Sequence, residues 1–175
     1  MVAALALAAA AAKKWLPAEF PDSPDELFGT SRVVLDDGRV IVFGGEANGK
    51  VTDGLWVFAN NEWKVMEPAG DWPSPRIAAT MAVTSEGKVY LQGEMDEDGP
   101  LSNLWILDPE TGTWEEIEVV GERPQARAFS TSWYHEGRFY VAGGLGSDRR
   151  PRRELFIYSQ GTSTWERGPD APEPF

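Results

Sequence analysis

The chain has 175 residues and a formal net charge of −12, with eight tryptophans, one histidine and no cysteine. This length suits one globular domain with a sizeable core. The lack of cysteine excludes disulfide scaffolds and thiolate catalysis, and a single histidine cannot form a histidine-cluster metal site. The acidic balance argues against nucleic acid and anionic membranes as partners. We therefore expect no cofactor, no nucleic-acid partner and no membrane contact.

The N-terminal segment 1–14 consists almost entirely of Ala and Leu before two lysines. Because Ala is the best helix former and Lys favours a helix C-terminus, we predict a short helix that caps the domain. A signal-peptide remnant and an engineered cap are alternative interpretations. Residues 15–30 contain Trp15 and three prolines, and we interpret them as the end of a partial repeat followed by a connector.

Three similar units follow, predicted to span 31–72, 73–122 and 123–167, with 168–175 as a tail. Each begins with two short strands around a tight turn that ends in glycine, as in Asp36-Asp37-Gly38 and Ser85-Glu86-Gly87. Glycine supplies the positive φ that such hairpin turns need. A long loop and two further strands complete each unit. The second strands are nearly all apolar, which predicts inner strands buried on both faces; they are Val40–Phe43, Val89–Leu91 and Phe139–Ala142.

The units repeat with a regular period. Trp63, Trp114 and Trp165 recur every 51 residues. The second strands end in Gly44-Gly45 and Gly143-Gly144, but in Gln92-Gly93 in the middle unit. A period of this length indicates a repeat architecture. An apolar strand ending in two glycines, with a tryptophan about twenty residues later, resembles the kelch motif, apart from Gln92.

The resemblance covers about Ser31 to Trp165 and implies an all-β fold. Each repeat would be one four-stranded antiparallel blade of a kelch-like β-propeller, here with a short N-terminal helix. Three blades are fewer than the roughly four to eight of closed propellers. We expect either a homodimer that forms a six-bladed ring, or an open arc capped by the helix and the tail. Kelch propellers usually bind proteins, and a minority are enzymes.

In a four-stranded meander the second loops and the connectors between blades lie on one face. Long, variable loops on a regular scaffold are where binding usually occurs. One such loop is acidic, with Glu94, Asp96, Glu97 and Asp98, and another is basic, with Arg149, Arg150, Arg152 and Arg153. We predict that the basic loop binds an acidic loop of a partner or of a second copy, since arginine forks suit carboxylates. Solvated loop tips and an anion site are the alternatives.

Two arginines occupy matched positions in the connectors, namely Arg76 and Arg127. Both are candidate binding residues, although a structural role within the propeller is the more economical interpretation. His135 lies in a tight turn, and we do not expect it to be catalytic.

The sequence therefore predicts a non-enzymatic kelch-like module that binds another protein or itself through the loop face. An engineered scaffold without a natural ligand is one alternative. A lyase or hydrolase that works at the propeller mouth is another. We take a cytoplasmic location as the working expectation.

Overall fold

A computed structural model describes residues 27–67, 69–96 and 99–173, with the backbone alone at 94–96 and 99–100. Across these ranges the chain forms strands and turns without a helix, which confirms the all-β prediction. The predicted N-terminal helix lies outside the described residues, as do Glu97 and Asp98. The predicted unit boundaries stay predictions; the sheets described below lie within 31–167.

The first sheet contains four antiparallel strands and a small additional hairpin in its long loop. The strands are β1 (Ser31–Val34), β2 (Val40–Phe43), β3 (Glu46–Ala47), β4 (Lys50–Val51), β5 (Leu55–Ala59) and β6 (Glu62–Met66). The sheet order is β1-β2-β5-β6, and β3 pairs with β4. The sheet is therefore a simple up-and-down meander, as the turn signals in the sequence predict.

The second sheet repeats this meander with longer central strands. It consists of β7 (Thr80–Val83), β8 (Val89–Asp96), β9 (Gly99–Asp108) and β10 (Thr113–Glu116). The register between β8 and β9 shifts between Gln92 and Glu94, and pairing continues beyond the shift up to Asp96 and Gly99. The second loop of this sheet is therefore a β-hairpin that continues the two central strands.

The third sheet gains a fifth strand from the preceding connector. Its segment contains β11 (Val120–Gly121), β12 (Arg127–Ala128), β13 (Thr131–His135), β14 (Arg138–Ala142), β15 (Leu145–Gly146), β16 (Leu155–Ser159) and β17 (Thr164–Arg167). The order is β11-β17-β16-β14-β13, with β11 parallel to β17. Gly121 has a φ of 93°, and a Cβ there would collide with the carbonyl group of Trp165. This close approach requires glycine.

The three sheets pack face to face, and their first strands lie side by side. Strand β7 contacts both β1 and β13. The apolar strands β2, β8 and β14 are thus second from this shared inner edge. They are buried as predicted: Ile41, Leu91 and Phe139 are each 0% exposed.

Two hydrophobic cores join the sheets. The first lies between the first and second sheets and includes Phe43, Leu91 and Trp114. The second lies between the second and third sheets and includes Tyr90, Phe139 and Trp165. Trp114 and Trp165 are 5% and 3% exposed. Trp114 and Trp165 are therefore core residues, since large flat rings bury much area between sheets. Trp63, the first of the recurring tryptophans, is only partly buried and contacts Phe58 of its own sheet.

Candidate binding surfaces

The long second loops and the connectors lie together at one end of the sheets, which we call the loop face. The Gly45 N–H donates to the Arg76 carbonyl oxygen over 2.8 Å. In the third sheet, β12 of the connector pairs with β15 of the long loop. The short turns lie at the opposite end, which we call the turn face. Loops of different length and charge are thus held on one face of a regular scaffold.

Arg76 and Arg127 lie at the base of the loop face in two equivalent buried sites. Arg76 is 1% exposed, and its Nε and Nη1 donate to the Ser74 and Gly93 carbonyl oxygens at 3.0 and 3.2 Å. Its Nη1 also donates to Asn103 Oδ1 over 3.0 Å. A buried guanidinium that is bonded to backbone carbonyls fixes the connector against the loop.

Arg127 repeats this arrangement in the third sheet. It is 3% exposed, and its Nε and Nη1 donate to the Gln125 and Gly143 carbonyl oxygens at 3.1 and 3.2 Å. Its Nη1 lies 3.5 Å from Glu154 Oε2, and the guanidinium carbon lies 5.0 Å from the centre of the Phe156 ring. The repeated geometry ties both arginines to the fold itself.

The basic loop is partly neutralised by Asp148 within the loop and by Asp170 of the tail. Asp148 Oδ1 accepts from Arg152 Nη2 at 2.8 Å and from the Arg150 N–H at 3.1 Å. That N–H and the two positive charges lower the pKa of Asp148. A hydrogen bond from Arg167 is the main cause that lowers the pKa of Asp170, and Arg153, whose Nε lies 3.4 Å from Asp170 Oδ2, lowers it further.

Arg149 is the exception among the four arginines. It is exposed at the tip of the loop with a φ of 59°. No ion pair joins it to an acid within the part of the chain that the structure describes. Its positive charge is therefore available to an incoming carboxylate.

The acidic loop is the hairpin that ends the two long strands of the second sheet. Glu94 pairs with Leu101 and Asp96 with Gly99 through the backbone. Arg76 approaches the start of this hairpin, since it donates to the Gly93 carbonyl oxygen. The ion pairs of the basic loop, by contrast, are made to Asp148 and Asp170 in its own segment.

A groove on the loop face was not predicted from the sequence. It has a volume of about 550 Å³ and runs between the start of β9 and the connector that follows β10. Its lining includes Asn103, Ile117, Val120 and Arg123. The lining residues come from β9 and from the connector, which are about fifteen residues apart in the sequence. They come together only when the connector folds back against β9.

The turn face carries an ion pair that links two sheets. Arg39 Nε donates to Asp37 Oδ2 over 2.7 Å, and its Nη2 bonds to Glu110 of the second sheet. These two acids raise the pKa of Arg39, with Glu110 the larger cause. His135 is exposed in its turn, 3.8 Å from Glu136.

A second unpredicted feature is an aromatic pair on the third sheet. The rings of Trp133 and Tyr140 are stacked, with their centres 5.0 Å apart and their planes 3° from parallel. Trp133 is 40% exposed. The two residues are direct partners in the pairing of β13 with β14, so the alternation of side chains places them on the same face of the sheet. The sequence carries both aromatics, but their contact depends on this register.

No group of three His, Asp or Glu side chains is arranged to hold a metal ion in the ranges 27–67, 69–96 and 99–173. No helix among these residues is long and apolar enough to span a membrane.

The chain matches a known family model over most of its length. The model is described as the KLHDC2/KLHL20/DRC7 Kelch-repeats domain, and it matches residues 10–174. This range includes all three sheets.

Individual relatives match more distantly. Acyl-CoA-binding domain-containing protein 5 of Arabidopsis thaliana is 30% identical over 115 residues, which are 64% of this chain and 18% of that protein. The Rab9 effector protein with kelch motifs of Xenopus laevis is 25% identical over 142 residues, or 78% of this chain and 39% of that protein. The N-(sulfonatooxy)prop-2-enimidothioate sulfolyase of Thlaspi arvense is 27% identical over 148 residues, or 78% of this chain and 42% of that protein.

The chain thus spans less than half the length of each of these relatives. Their names cover different activities, so they agree on the repeat and not on one function. The family model and the threefold repeat of one four-stranded sheet agree with each other. The chain belongs to the kelch-repeat family.

Proposed function

We propose that the chain is a non-enzymatic protein-interaction module that binds its partner through the loop face. The observation that carries this proposal is the contrast between the two ends of the sheets. The turn face has short turns, whereas the loop face has three long loops of different length and charge, anchored by the buried Arg76 and Arg127. Relatives named as Rab9 effector proteins with kelch motifs support a protein partner.

The partner segment that fits the basic loop is acidic. Arg149 is exposed, and Asp148 and Asp170 partly neutralise the remaining arginines of the loop. An arginine fork pairs well with a carboxylate, particularly when both oxygens are engaged. Because the chain as a whole carries twelve excess negative charges, the contact must be local, and salt should weaken it.

Binding of an acidic peptide tests this proposal. A fluorescent peptide of ten Glu and Asp residues would be titrated with the protein, and its anisotropy measured at low and high salt. We expect Arg149→Gln to weaken binding several-fold and high salt to weaken it further. Lys88→Gln on the turn face is the matched control and should leave the affinity unchanged. Equal binding by both variants would contradict the role of the loop face.

Self-assembly is a second candidate function of the same chain. The structure describes three sheets, whereas closed propellers have roughly four to eight. Two copies would supply six, and the product would be a homodimeric ring. Apolar side chains exposed on the outermost sheets, such as Val34 and Trp133, favour this candidate. A mass in solution of one chain at every concentration would argue against it.

An engineered scaffold without a natural ligand remains an alternative proposal, which binding to the acidic peptide would argue against. An enzymatic role is suggested by the sulfolyase-named relative. A proton donor at a propeller mouth needs a carboxyl group whose pKa is raised by burial. The shifted carboxyl pKa values among the described residues, those of Asp37, Asp148 and Asp170, are all lowered. Turnover of the substrate in that relative's name would support the enzymatic alternative, and we expect none.

A further inference from the structure

Each of the three described sheets has two faces, and the described residues pack the sheets together through four of these six faces. We call the face toward the preceding sheet the leading face and the face toward the next sheet the trailing face. The trailing face of the first sheet packs on the leading face of the second, and the trailing face of the second packs on the leading face of the third. No other described sheet covers the leading face of the first sheet or the trailing face of the third.

These two end faces expose large apolar side chains. On the leading face of the first sheet, Val34 and Val65 are 63% and 49% exposed. On the trailing face of the third sheet, Trp133 is 40% exposed, and it lies in one row with Tyr140 and Ile157 across β13, β14 and β16. Apolar side chains that form a contiguous patch, unlike single exposed ones, mark a contact surface.

The row on the third sheet continues a pattern of the internal interfaces. Strand pairing puts Trp133, Tyr140 and Ile157 at the positions that the second sheet fills with a corresponding row, namely Ala82, Tyr90 and Ile106. The Tyr90 ring is enclosed by three aromatic rings of the next sheet, at 6.2, 5.1 and 5.6 Å from Tyr134, Phe139 and Tyr158. Tyr140 therefore occupies the position that Tyr90 has in the second sheet, where the ring packs against the leading face of the next sheet.

The sizes of the side chains on the two end faces are complementary. In the second core the small Ala82 packs in the same cluster as the large Tyr134. At the corresponding positions of the end faces stand the large Trp133 and the small Val34. At the internal interface the trailing face carries the small side chain and the leading face the large one, and on the end faces the sizes are reversed. The two end faces together can therefore fill the same volume as an internal interface. Dense filling of this kind is what protein interiors require.

A repeated hydroxyl group also marks the interfaces. Ser31 and Thr80 occupy equivalent positions at the start of β1 and β7. Ser31 Oγ donates across the first interface to the Ala79 carbonyl oxygen at 2.7 Å, and Thr80 Oγ1 donates across the second to Ser132 Oγ at 2.5 Å. Thr131 holds this position in β13 and is exposed. Its hydroxyl is placed to bond across a third interface of the same kind.

We propose that the trailing face of the third sheet docks onto the leading face of the first sheet of a second copy. The reciprocal contact closes a two-fold symmetric ring of six sheets, in which Trp133 and Tyr140 of each copy pack against Val34 and Val40 of the other. The inference rests on the self-assembly proposed above and is independent of peptide binding by the loop face. It identifies the contact as head-to-tail between two different surfaces.

The salt response separates this contact from an association of the loops. The rows that form the end-face contact are apolar, and the charged Arg138 and Glu166 of the trailing face pair with each other, 3.9 Å apart. Each copy carries a charge of −12. Salt screens the repulsion between the copies, so the dimer should persist or become tighter at high salt. A dimer held by the basic and acidic loops would instead dissociate.

Variants of the two end faces test the proposal by sedimentation over a range of concentrations. Trp133→Asp and Val34→Asp should each weaken the dimer about tenfold or more, since each damages both contacts of the ring. Val120→Asp is the matched control. Val120 is 62% exposed, a fraction similar to that of Val34, but it lies on β11 at the outer edge of the third sheet. It should leave the dimer unchanged. Unfolding in urea checks that all three variants are folded.

A mixture of the two variants is the sharpest test. One of its two contacts joins two unaltered faces, so the mixture should dimerise more tightly than either variant alone. A dimer that resists both substitutions would refute the end-face contact while leaving self-assembly intact. A dimer weakened by Trp133→Asp alone would show a contact between like faces and would also overturn the proposal. Retained binding of the acidic peptide by these variants would show that the loop-face function does not depend on the ring.

Discussion

Replacement of Arg127 by methionine is the perturbation that best measures what anchors the loop face. Arg127 is 3% exposed and donates to the carbonyl oxygens of Gln125 and Gly143. A buried acceptor left without its donor costs about 1–3 kcal/mol. Methionine keeps much of the apolar stem and can contact the Phe156 ring, so the loss is mainly polar.

We expect Arg127→Met to lower the free energy of unfolding by about 3 kcal/mol. Glu154 contributes to this figure, because its Oε2, which faces Arg127, is buried although the side chain as a whole is 26% exposed. For a chain of this size the loss corresponds to a fall in melting temperature of roughly 6–12 °C. Urea unfolding followed by tryptophan fluorescence, at fixed protein concentration, measures the free energy directly.

Two comparisons make the result decisive. Arg76→Met removes the equivalent bonds in the second sheet, so we expect a similar loss. Arg149→Met changes an exposed arginine and should alter the stability by no more than about 0.5 kcal/mol. If Arg127→Met cost no more than Arg149→Met, the buried bonds would not stabilise the fold and the anchoring of the loop face would be refuted.

Three further predictions follow from other positions. Gly121→Ala should lower the free energy of unfolding in urea clearly more than Gly137→Ala does. Both glycines have a positive φ, which costs about 1 kcal/mol or more in alanine, but only at Gly121 would the added Cβ also collide with backbone atoms. Equal losses of stability would exclude that collision. The hydrogen bond from Arg167 lowers the pKa of Asp170, so this bond stabilises the fold above the ordinary pKa of 3.8, and the stabilisation is lost as the pH falls below that value. As the pH is lowered, the melting temperature should therefore fall less steeply for Asp170→Asn than for the unaltered protein. Tyr90→Phe should leave the free energy of unfolding in urea unchanged or raise it by about 1–3 kcal/mol. The reason is that the Tyr90 hydroxyl is buried and has no hydrogen-bond partner within the described ranges. A loss above about 1 kcal/mol would contradict this prediction.

The sequence predicts the repeated sheets well because each signal is local. Gly38, Gly87 and Gly137 all have positive φ in their turns, as the hairpin pattern requires. Trp114 and Trp165 are buried, as expected of recurring large aromatics. The period of 51 residues is a property of the chain alone, so the number of sheets follows from it.

The departures from the prediction all depend on contacts distant in the sequence. Strand β11 joins the third sheet, although Val120 lies in the range assigned to the second unit, because the connector folds back along β17. The apolar strands β2, β8 and β14 lie second in their sheets, with β1, β7 and β13 between them and the shared inner edge. Apolar composition indicates burial but does not determine the order of strands within a sheet.

The candidate surfaces are predictable in part. The matched positions of Arg76 and Arg127 are visible in the sequence, but their burial is not, since arginine is usually exposed. Asp148 lies four residues before Arg152, a spacing that could have indicated their ion pair, whereas the contact of Asp170 with Arg153 requires the tail to fold back. The match between the end faces depends on strand register, which only the structure gives.

The mass of the unaltered chain in solution tests the central claim most directly. Sedimentation equilibrium at low and high salt would measure it over a wide range of concentrations. We predict a dimer of twice the 19.3 kDa chain mass that persists when the salt is raised. A particle of 19.3 kDa at every concentration would contradict the six-bladed ring, because the end faces of the array would then remain uncovered by a second copy.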